Sequence, residues 1–231
     1  MKTLGIITNA LAIGLFSLLG SSLRKIVTKE KLRILGICII IVSVIGFVEN
    51  VFTVRSGELV SGNLTLLLAA FIIGNELGEA LRINQYLSNL GKSDNAARNA
   101  IIDSILLFGI GGLQICGPIT MITQGDNSQL LLKSVIDIPF AIMFGATYGP
   151  RVAVAAIPIA LMQLVIALMA WLMGEFFTNQ VIKDICSLGF IILFFSGFNL
   201  FTQGKNKIDN VSMLPSILIV ILYYGIRDLF I

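Results

Sequence analysis

The chain has 231 residues, of which 56% are hydrophobic and 13% are charged, and its mean hydropathy is +0.94. Ordinary soluble domains carry roughly 25% charged residues, so this chain lacks the polar side chains to cover a globular surface. Disorder is excluded as well, because disordered chains are polar and highly charged. The composition therefore places the chain in a lipid bilayer.

Eight segments are apolar and long enough to span a bilayer, which takes about 20 residues for ~30 Å of hydrocarbon. They cover residues 4–23, 33–53, 63–81, 99–117, 129–148, 152–173, 184–202 and 211–229. The fourth and fifth carry polar and helix-breaking residues, so one of them could be re-entrant. The polar connection at 83–99 is expected to begin as a short amphipathic helix at the membrane interface. We therefore predict an all-α polytopic membrane protein with about 7–8 transmembrane helices.

Lys and Arg residues predict the orientation, because they are enriched on the cytoplasmic side of a membrane. With the amino terminus outside, eleven basic residues fall on the inner side and five on the outer side. The inner ones are Arg24, Lys25, Lys29, Lys31, Arg33, Arg82, Lys92, Arg98, Arg151, Lys205 and Lys207. The outer ones are Lys2, Arg55, Lys133, Lys183 and Arg227. The count favours an outside amino terminus, whereas the side of the carboxyl terminus depends on whether a span is re-entrant.

The first and last thirds of the chain resemble each other. The matching positions are Leu35, Gly36 and Ser43 with Leu188, Gly189 and Ser196, and, upstream, Asn9 with Gln163. Related spans are five apart, an odd number, so the two copies run in opposite directions. We predict an inverted repeat with copies at 1–82 and 152–231, separated by a polar connector and central spans at 83–151. Such repeats are typical of transporters, with the site near the midplane; chance similarity between apolar helices is the alternative.

Two charged residues, Lys133 and Asp137, lie inside the fifth span. They are four residues apart on one helical face and close enough to pair. If the span begins near Ser128, Asp137 is ~13 Å deep at 1.5 Å per residue. An ionised carboxylate there costs about 2.5–3.5 kcal/mol, which makes it a candidate functional group. Pro139 has no N–H to donate to the carbonyl of Val135, so we expect a free acceptor within one turn of Asp137. The alternative is a structural pair that locks this helix to a neighbour.

A polar stretch precedes that pair. Gly117-Pro118 is expected to break the fourth span, and irregular backbone at membrane depth survives only when buried in protein or lining water. The break would offer backbone groups and threonine hydroxyls to a ligand. The candidate substrate- or ion-binding residues are therefore Asp137, Lys133, Ser134, Thr120, Thr123, Asp126, Asn9 and Gln163. The amides among them can equally make interhelical hydrogen bonds.

Signatures of several other function classes are absent. The sequence has no histidine, no G-x-x-x-x-G-K-[ST] loop, no G-x-S-x-G elbow and no H-E-x-x-H pair. Its three cysteines stand singly in apolar runs, and its net charge is only +3. We therefore expect no catalytic residue, no metal, no cofactor and no nucleic-acid partner.

Three stretches are similar to a known family. They are TNALAIGLFSLLGSSL at 8–23, IIGNELGEALRINQYLSNLG at 72–91 and QGDNSQLLLKSVID at 124–137. The last contains the pattern G-D-x-S-x-L-x-x-K-S-x-x-D. Through them the whole chain resembles the YqgA-like family of bacterial inner-membrane proteins, a domain of unknown function. It departs from that family at Gly117-Pro118, where Gly-Ala is common. The resemblance implies a polytopic plasma-membrane protein, often labelled a transport protein.

These observations favour a small transporter or channel for an unidentified small solute or ion. Two inverted halves would move around a polar site near the midplane. A protomer this short gives little body to brace a moving element, so we expect a homodimer in the bilayer. One alternative is a non-transporting scaffold or accessory subunit with a structural Lys133–Asp137 pair. An intramembrane enzyme is a further alternative, against which the absent catalytic motifs argue.

Overall fold

The computed structural model describes residues 4–23, 28–55, 57–91, 101–102, 104–105, 108–109, 112–203 and 208–229. The helices are α1 (Leu4–Ser22), α2 (Lys29–Val51), α3 (Leu64–Ala80), α4 (Ile83–Gly91), α5 (Gly112–Thr123), α6 (Ser128–Tyr148), α7 (Ala156–Leu172), α8 (Asn179–Phe201) and α9 (Pro215–Leu229). A β-hairpin of β1 (Phe52–Arg55) and β2 (Glu58–Ser61) links α2 to α3, and a 3₁₀ helix at Pro150–Ala155 precedes α7. The described residues between α4 and α5 are helical.

Five segments of the described chain are long and apolar enough to cross a membrane. They are Leu4–Ser22, Glu30–Val51, Ser128–Tyr148, Pro150–Leu172 and Asn179–Phe201. The helices α3, α9 and α5 are shorter, with 17, 15 and 12 residues. Large apolar side chains cover the outside of the bundle, as a lipid solvent allows. The prediction of a helical membrane protein is therefore confirmed.

The helices α1 and α6 pack side by side and run in the same direction. Gly5, near the start of α1, lies against Leu130 near the start of α6, and Gly20, near the end of α1, lies against the backbone of Ile142. A Cβ atom at Gly20 would overlap that backbone. This parallel contact joins two helices that are far apart in sequence, and their facing sides carry the polar site described below.

Other helix pairs run antiparallel. Two contacts show this for each pair. They are Asn9 with Gln163 and Gly14 with Ala156 for α1 and α7, Gly36 with Gly197 and Gly46 with Phe190 for α2 and α8, Gly74 with Ser216 and Gly78 with Ser212 for α3 and α9, and Gly112 with Gly189 and Gln124 with Asn179 for α5 and α8. The bundle consequently has two ends. The first end holds the starts of α1, α3, α6 and α8 and the ends of α2, α5, α7 and α9. The second end holds the opposite termini.

The predicted break at Gly117-Pro118 is wrong. The α5 helix continues through Pro118 to Thr123, beyond the predicted end at residue 117. The backbone angle that proline fixes is a helical one, and its missing N–H removes a single hydrogen bond. The Thr120 hydroxyl donates to the carbonyls of Cys116 and Gly117, next to the proline, both at 3.1 Å. The chain reverses later, where Gly125 has a φ of 71°.

Smaller corrections concern the connections and the basic residues. The polar connection does begin with a helix, α4, whereas the segment after α2 forms a β-hairpin that the all-α prediction did not include. Lys133, counted above with the outer basic residues, is buried inside α6. Part of the predicted span 99–117 lies outside the described residues, as do Lys2, Arg24, Lys25, Lys92, Arg98, Lys205 and Lys207.

Candidate functional site

The two charged residues of α6 form a buried ion pair. Lys133 and Asp137 are each 5% exposed, and the Lys133 Nζ atom lies 2.6 Å from Asp137 Oδ2. The same ammonium donates a second hydrogen bond, of 2.9 Å, to the main-chain carbonyl of Phe108. The predicted spacing of one helical turn thus produces the pair, and the carbonyl links it to the segment before α5.

A chain of amides leads away from the carboxylate. Asn9 Nδ2 donates to Asp137 Oδ2 at 2.8 Å, and Gln163 Nε2 donates to Asn9 Oδ1 at 2.9 Å. The same Gln163 nitrogen donates to Gln114 Oε1 at 2.9 Å, and Gln114 donates to the carbonyl of Ile159 at 3.3 Å. An ionised carboxylate only accepts, so Asp137 fixes the direction of every amide in turn. As a consequence, the Gln163 Oε1 atom has no hydrogen-bond partner among the described residues.

Five side chains therefore form one central polar network, which we define as Asn9, Gln114, Lys133, Asp137 and Gln163. They come from α1, α5, α6 and α7, and the three amides are fully buried. Asp137 is nine residues into α6, or about 13 Å along it at 1.5 Å per residue. Two buried charges cost several kcal/mol each in lost hydration, which their attraction and hydrogen bonds offset. Loss of either charge alone would leave the other uncompensated.

The other predicted site residues bond locally and do not join the network. The hydroxyls of Ser134, Thr120 and Thr123 donate to carbonyls of their own helices. Asp126 is exposed in the turn before α6, where its carboxylate accepts from the backbone N–H and the hydroxyl of Ser128. The structure thus brings together Asn9, Lys133, Asp137 and Gln163, and adds Gln114.

A second polar group was not among the predicted site residues. Asp184 of α8 is 2% exposed and accepts hydrogen bonds from Tyr224, Asn63 and Gln180. The sequence signal for it is an acid within an apolar run, four residues after a glutamine. The predicted span started at residue 184, which put the acid at the membrane edge, whereas α8 begins at Asn179. Across the described ranges, no three His, Cys, Asp or Glu residues are grouped to hold a metal.

The apolar helices define a polytopic membrane protein, and the ion pair and amides that four of the helices bury define an internal polar site. The profile of the family "Protein of unknown function (DUF554)" matches residues 4–225, and the chain belongs to that family. It is 31% identical over 172 residues to "Uncharacterized membrane protein YdfK" of Bacillus subtilis (strain 168), covering 70% of this chain and 73% of that protein.

A second relative is "Uncharacterized protein YqgA" of Escherichia coli (strain K12). The two are 26% identical over 170 residues, which cover 68% of this chain and 72% of that protein. No solved structure matches the chain. The family that the sequence motifs indicated is thereby confirmed, and the word "membrane" in the name of the Bacillus relative agrees with the apolar helices.

Proposed function

We propose that this protein is a small transporter or channel that moves a small solute or ion through the central polar network. The observation that carries the proposal is the buried Lys133–Asp137 pair, which is linked to α1 by Asn9 and to the segment before α5 by the Phe108 carbonyl. An ionisable group at membrane depth is costly, and such residues mark ion and substrate pathways in membrane proteins.

In the proposed mechanism the Lys133 ammonium acts as an internal cation for Asp137. A cation that reaches Asp137 competes with Lys133, whose flexible stem lets the ammonium withdraw from the carboxylate and from the Phe108 carbonyl together. The hydrogen bond between Asn9 of α1 and Asp137 of α6 persists, whereas the one between Lys133 and the segment before α5 is lost. Occupancy therefore decides which helices are held together, and this differential contact is what a ligand-driven conformational change requires.

The architecture we propose is an inverted repeat with eight crossings. Three pairs of repeat-related helices, α1 with α7, α2 with α8 and α3 with α9, lie against each other and run antiparallel. A two-fold axis in the membrane plane relates a helix to an antiparallel copy, so these contacts support the repeat. In the first pair the matching residues Asn9 and Gln163 bond each other directly.

The remaining inferences concern location and assembly. Lys31, Arg33 and Arg151 lie at the second end of the bundle, which supports a cytoplasmic second end and an outside amino terminus in the plasma membrane. We infer a homodimer from the small size of the protomer. We also infer a role without catalysis or a cofactor, because the sequence offers no catalytic motif.

The test compares transport by the wild type with that by Asp137→Asn. Purified protein in proteoliposomes is adsorbed on a solid-supported membrane, and currents are recorded after jumps of Na⁺, K⁺, NH₄⁺ or an amino-acid mixture. We expect a current for one of these probes that is lost in Asp137→Asn and kept in Glu175→Gln, which changes an exposed acid in the turn after α7. A wild-type current in Asp137→Asn would overturn the mechanism.

A second candidate function is a non-transporting scaffold or accessory subunit. It is favoured by the hydrogen bonds of the network, in which all five side chains take part and which link four helices. Buried polar groups of this kind also fix how membrane helices pack. This alternative predicts no current for any probe and a loss of stability in Asp137→Asn whatever ion is present.

A further inference from the structure

A second buried carboxylate, Asp184, differs from Asp137 in having hydrogen-bond donors but no counter-charge among the described side chains. Its Oδ2 atom accepts from the Tyr224 hydroxyl at 2.6 Å and from Asn63 Nδ2 at 3.1 Å, and its Oδ1 atom accepts from Gln180 Nε2 at 2.9 Å. Asn63 Nδ2 also donates to the Tyr224 hydroxyl, at 2.8 Å. These contacts tie the starts of α3 and α8 to the end of α9. We call these four residues the Asp184 cluster.

The charged groups nearby do not neutralise it. Arg227 of α9 stacks on the ring of Tyr224, 4.6 Å from its centroid, and pairs with Asp228 at 2.9 Å. Lys183 precedes Asp184 on α8, and Glu58 of the hairpin adds another acid at this end. Over the part of the chain that the structure describes, no basic side chain forms an ion pair with Asp184.

We propose that the Asp184 cluster is a proton-binding site. A buried carboxylate without a counter-charge is stabilised by binding a cation, and the surrounding hydrogen bonds favour a proton over an alkali ion. Tyr224, Asn63 and Gln180 all donate to the carboxylate, so an alkali ion would have to displace three donors and rebuild an oxygen cage. A proton needs no new ligands, because two hydrogen bonds of the cluster reverse and only the one from Asn63 to Asp184 is lost.

The reversal keeps the side chains in place apart from one amide rotation, which gives up the hydrogen bond from Asn63 to Asp184. A protonated Asp184 donates through Oδ2 to the Tyr224 oxygen, and the Tyr224 hydroxyl turns to donate to Asn63. Asn63 accommodates this by rotating its amide, so that its oxygen takes the place of its nitrogen; the two ends have nearly the same shape. Asp137 lacks this freedom, because a proton can bind there only after the ion pair with Lys133 is broken.

The site also has a route to solvent. Asn63 is exposed at the first end of the bundle, and its side chain makes no capping bond to α3, although it occupies the cap position. It can therefore change orientation without unravelling the helix. In the predicted orientation this end faces outside. A role of Asp184 in coupling proton entry to transport rests on the function proposed above, whereas proton binding itself does not depend on it.

The experiment is an infrared titration of the full-length protein in lipid, which follows the C=O stretching band of protonated carboxylic acids as the pH is lowered. We expect a band that is lost in Asp184→Asn and retained in Asp137→Asn. Tyr224→Phe should shift the band's position, because a hydrogen bond to that carboxyl group disappears. Tyr223→Phe, which changes the neighbouring ring that is 45% exposed, should leave the band unchanged.

Two kinds of result would overturn the proposal. One is a carboxyl spectrum that is identical in wild type and Asp184→Asn, or, if that variant does not fold, identical in wild type and Tyr224→Phe. The other is a wild-type protein that NaCl stabilises against heat relative to choline chloride, with the effect lost in Tyr224→Phe, since that would indicate an alkali-ion site. Because none of these measurements requires transport, proton binding and transport can fail independently.

Discussion

A single oxygen atom, Asp137 Oδ2, holds the central polar network together. It accepts from the Lys133 ammonium at 2.6 Å and from the Asn9 amide at 2.8 Å, and the amide chain to Gln163 and Gln114 takes its direction from it. Removing that charge without removing Lys133 would leave the ammonium with the Phe108 carbonyl as its one partner among the described residues. The contribution of the ion pair to the free energy of unfolding can therefore be measured by changing the two charges separately and together.

We expect Asp137→Leu and Lys133→Met each to destabilise the protein by roughly 3–5 kcal/mol, the usual cost of an unpaired buried charge. The double variant should recover most of that loss, because an apolar pair needs no hydration and fills a similar volume. The measurement is thermal or denaturant unfolding in detergent. The exposed Arg227–Asp228 pair serves as the comparison, and its removal by Asp228→Asn should cost at most about 1 kcal/mol.

A double variant as unstable as the singles would contradict this account of the network. If the double variant is stable but carries no current, the pair acts in transport, whereas a stable double variant in a protein that never carries current supports the scaffold. The comparison therefore separates the two candidate functions as well as measuring the ion pair.

At this scale the sequence predicted local pairs and missed most remote ones. Lys133 and Asp137 could be paired because helix geometry places i and i+4 together. Gln114 was not among the predicted site residues, since its contact with Gln163 depends on how α5 and α7 are aligned, which no spacing reveals. The hydroxyls of Ser134 and Thr120 looked available, but a hydroxyl in an apolar helix readily bonds a carbonyl of its own preceding turn.

Among the elements, the parallel pair α1 and α6 determines whether the network can form. Asn9 reaches Asp137 only because the helix backbones approach closely, and Gly20 permits that approach at the second end. The same helix contains Gly14, whose nearest foreign atom to an added methyl group would be the Ala156 Cβ, at 3.9 Å. Two glycines of one helix thus differ in whether a methyl group fits.

We expect Gly20→Ala to destabilise the protein by about 1–3 kcal/mol, the range for overpacking, because the Ile142 backbone cannot move aside. Gly14→Ala should be neutral or stabilising by up to about 1 kcal/mol, since alanine is the better helix former. Both values come from unfolding in detergent. Equal effects of the two substitutions would show that the α1–α6 contact is looser than described.

The end of α5 is an element boundary that the sequence did not predict correctly. Gly117-Pro118 has the composition of a helix break, yet both residues are buried and α5 continues past them, because its contacts with α8 and α7 outweigh one missing hydrogen bond. The apolar pattern did locate α1, α2 and α6 within four residues at each end, and α8 with its start five residues too late. These helices are apolar over most of their length, because their side chains face either lipid or the apolar core, and composition reports that property directly.

For the whole molecule, the directions of the helices and the distribution of basic residues are independent observations that agree. Two contacts along a pair of helices give their relative direction, and the directions of all the pairs assign the helix termini consistently to two ends. Gln124, after α5, bonds Asn179 at the start of α8, so both belong to the first end. Lys31 and Arg33 belong to the second end, where the positive-inside rule expects the cytoplasm.

Cysteine labelling of intact cells tests this arrangement. In a background without the three native cysteines, we expect Glu58→Cys, Glu175→Cys and Asp228→Cys to react with a membrane-impermeant maleimide from outside. Glu30→Cys and Glu79→Cys should react only after permeabilisation. All five positions are acidic and exposed, so the substitutions leave the Lys and Arg distribution that orients the protein unchanged.

Glu30 and Glu175 labelling from the same side would exclude an inverted repeat, because they lie near the starts of the related helices α2 and α8. Glu58 and Glu79 labelling from the same side would show that α3 does not cross, and the protein would then have fewer than eight spans.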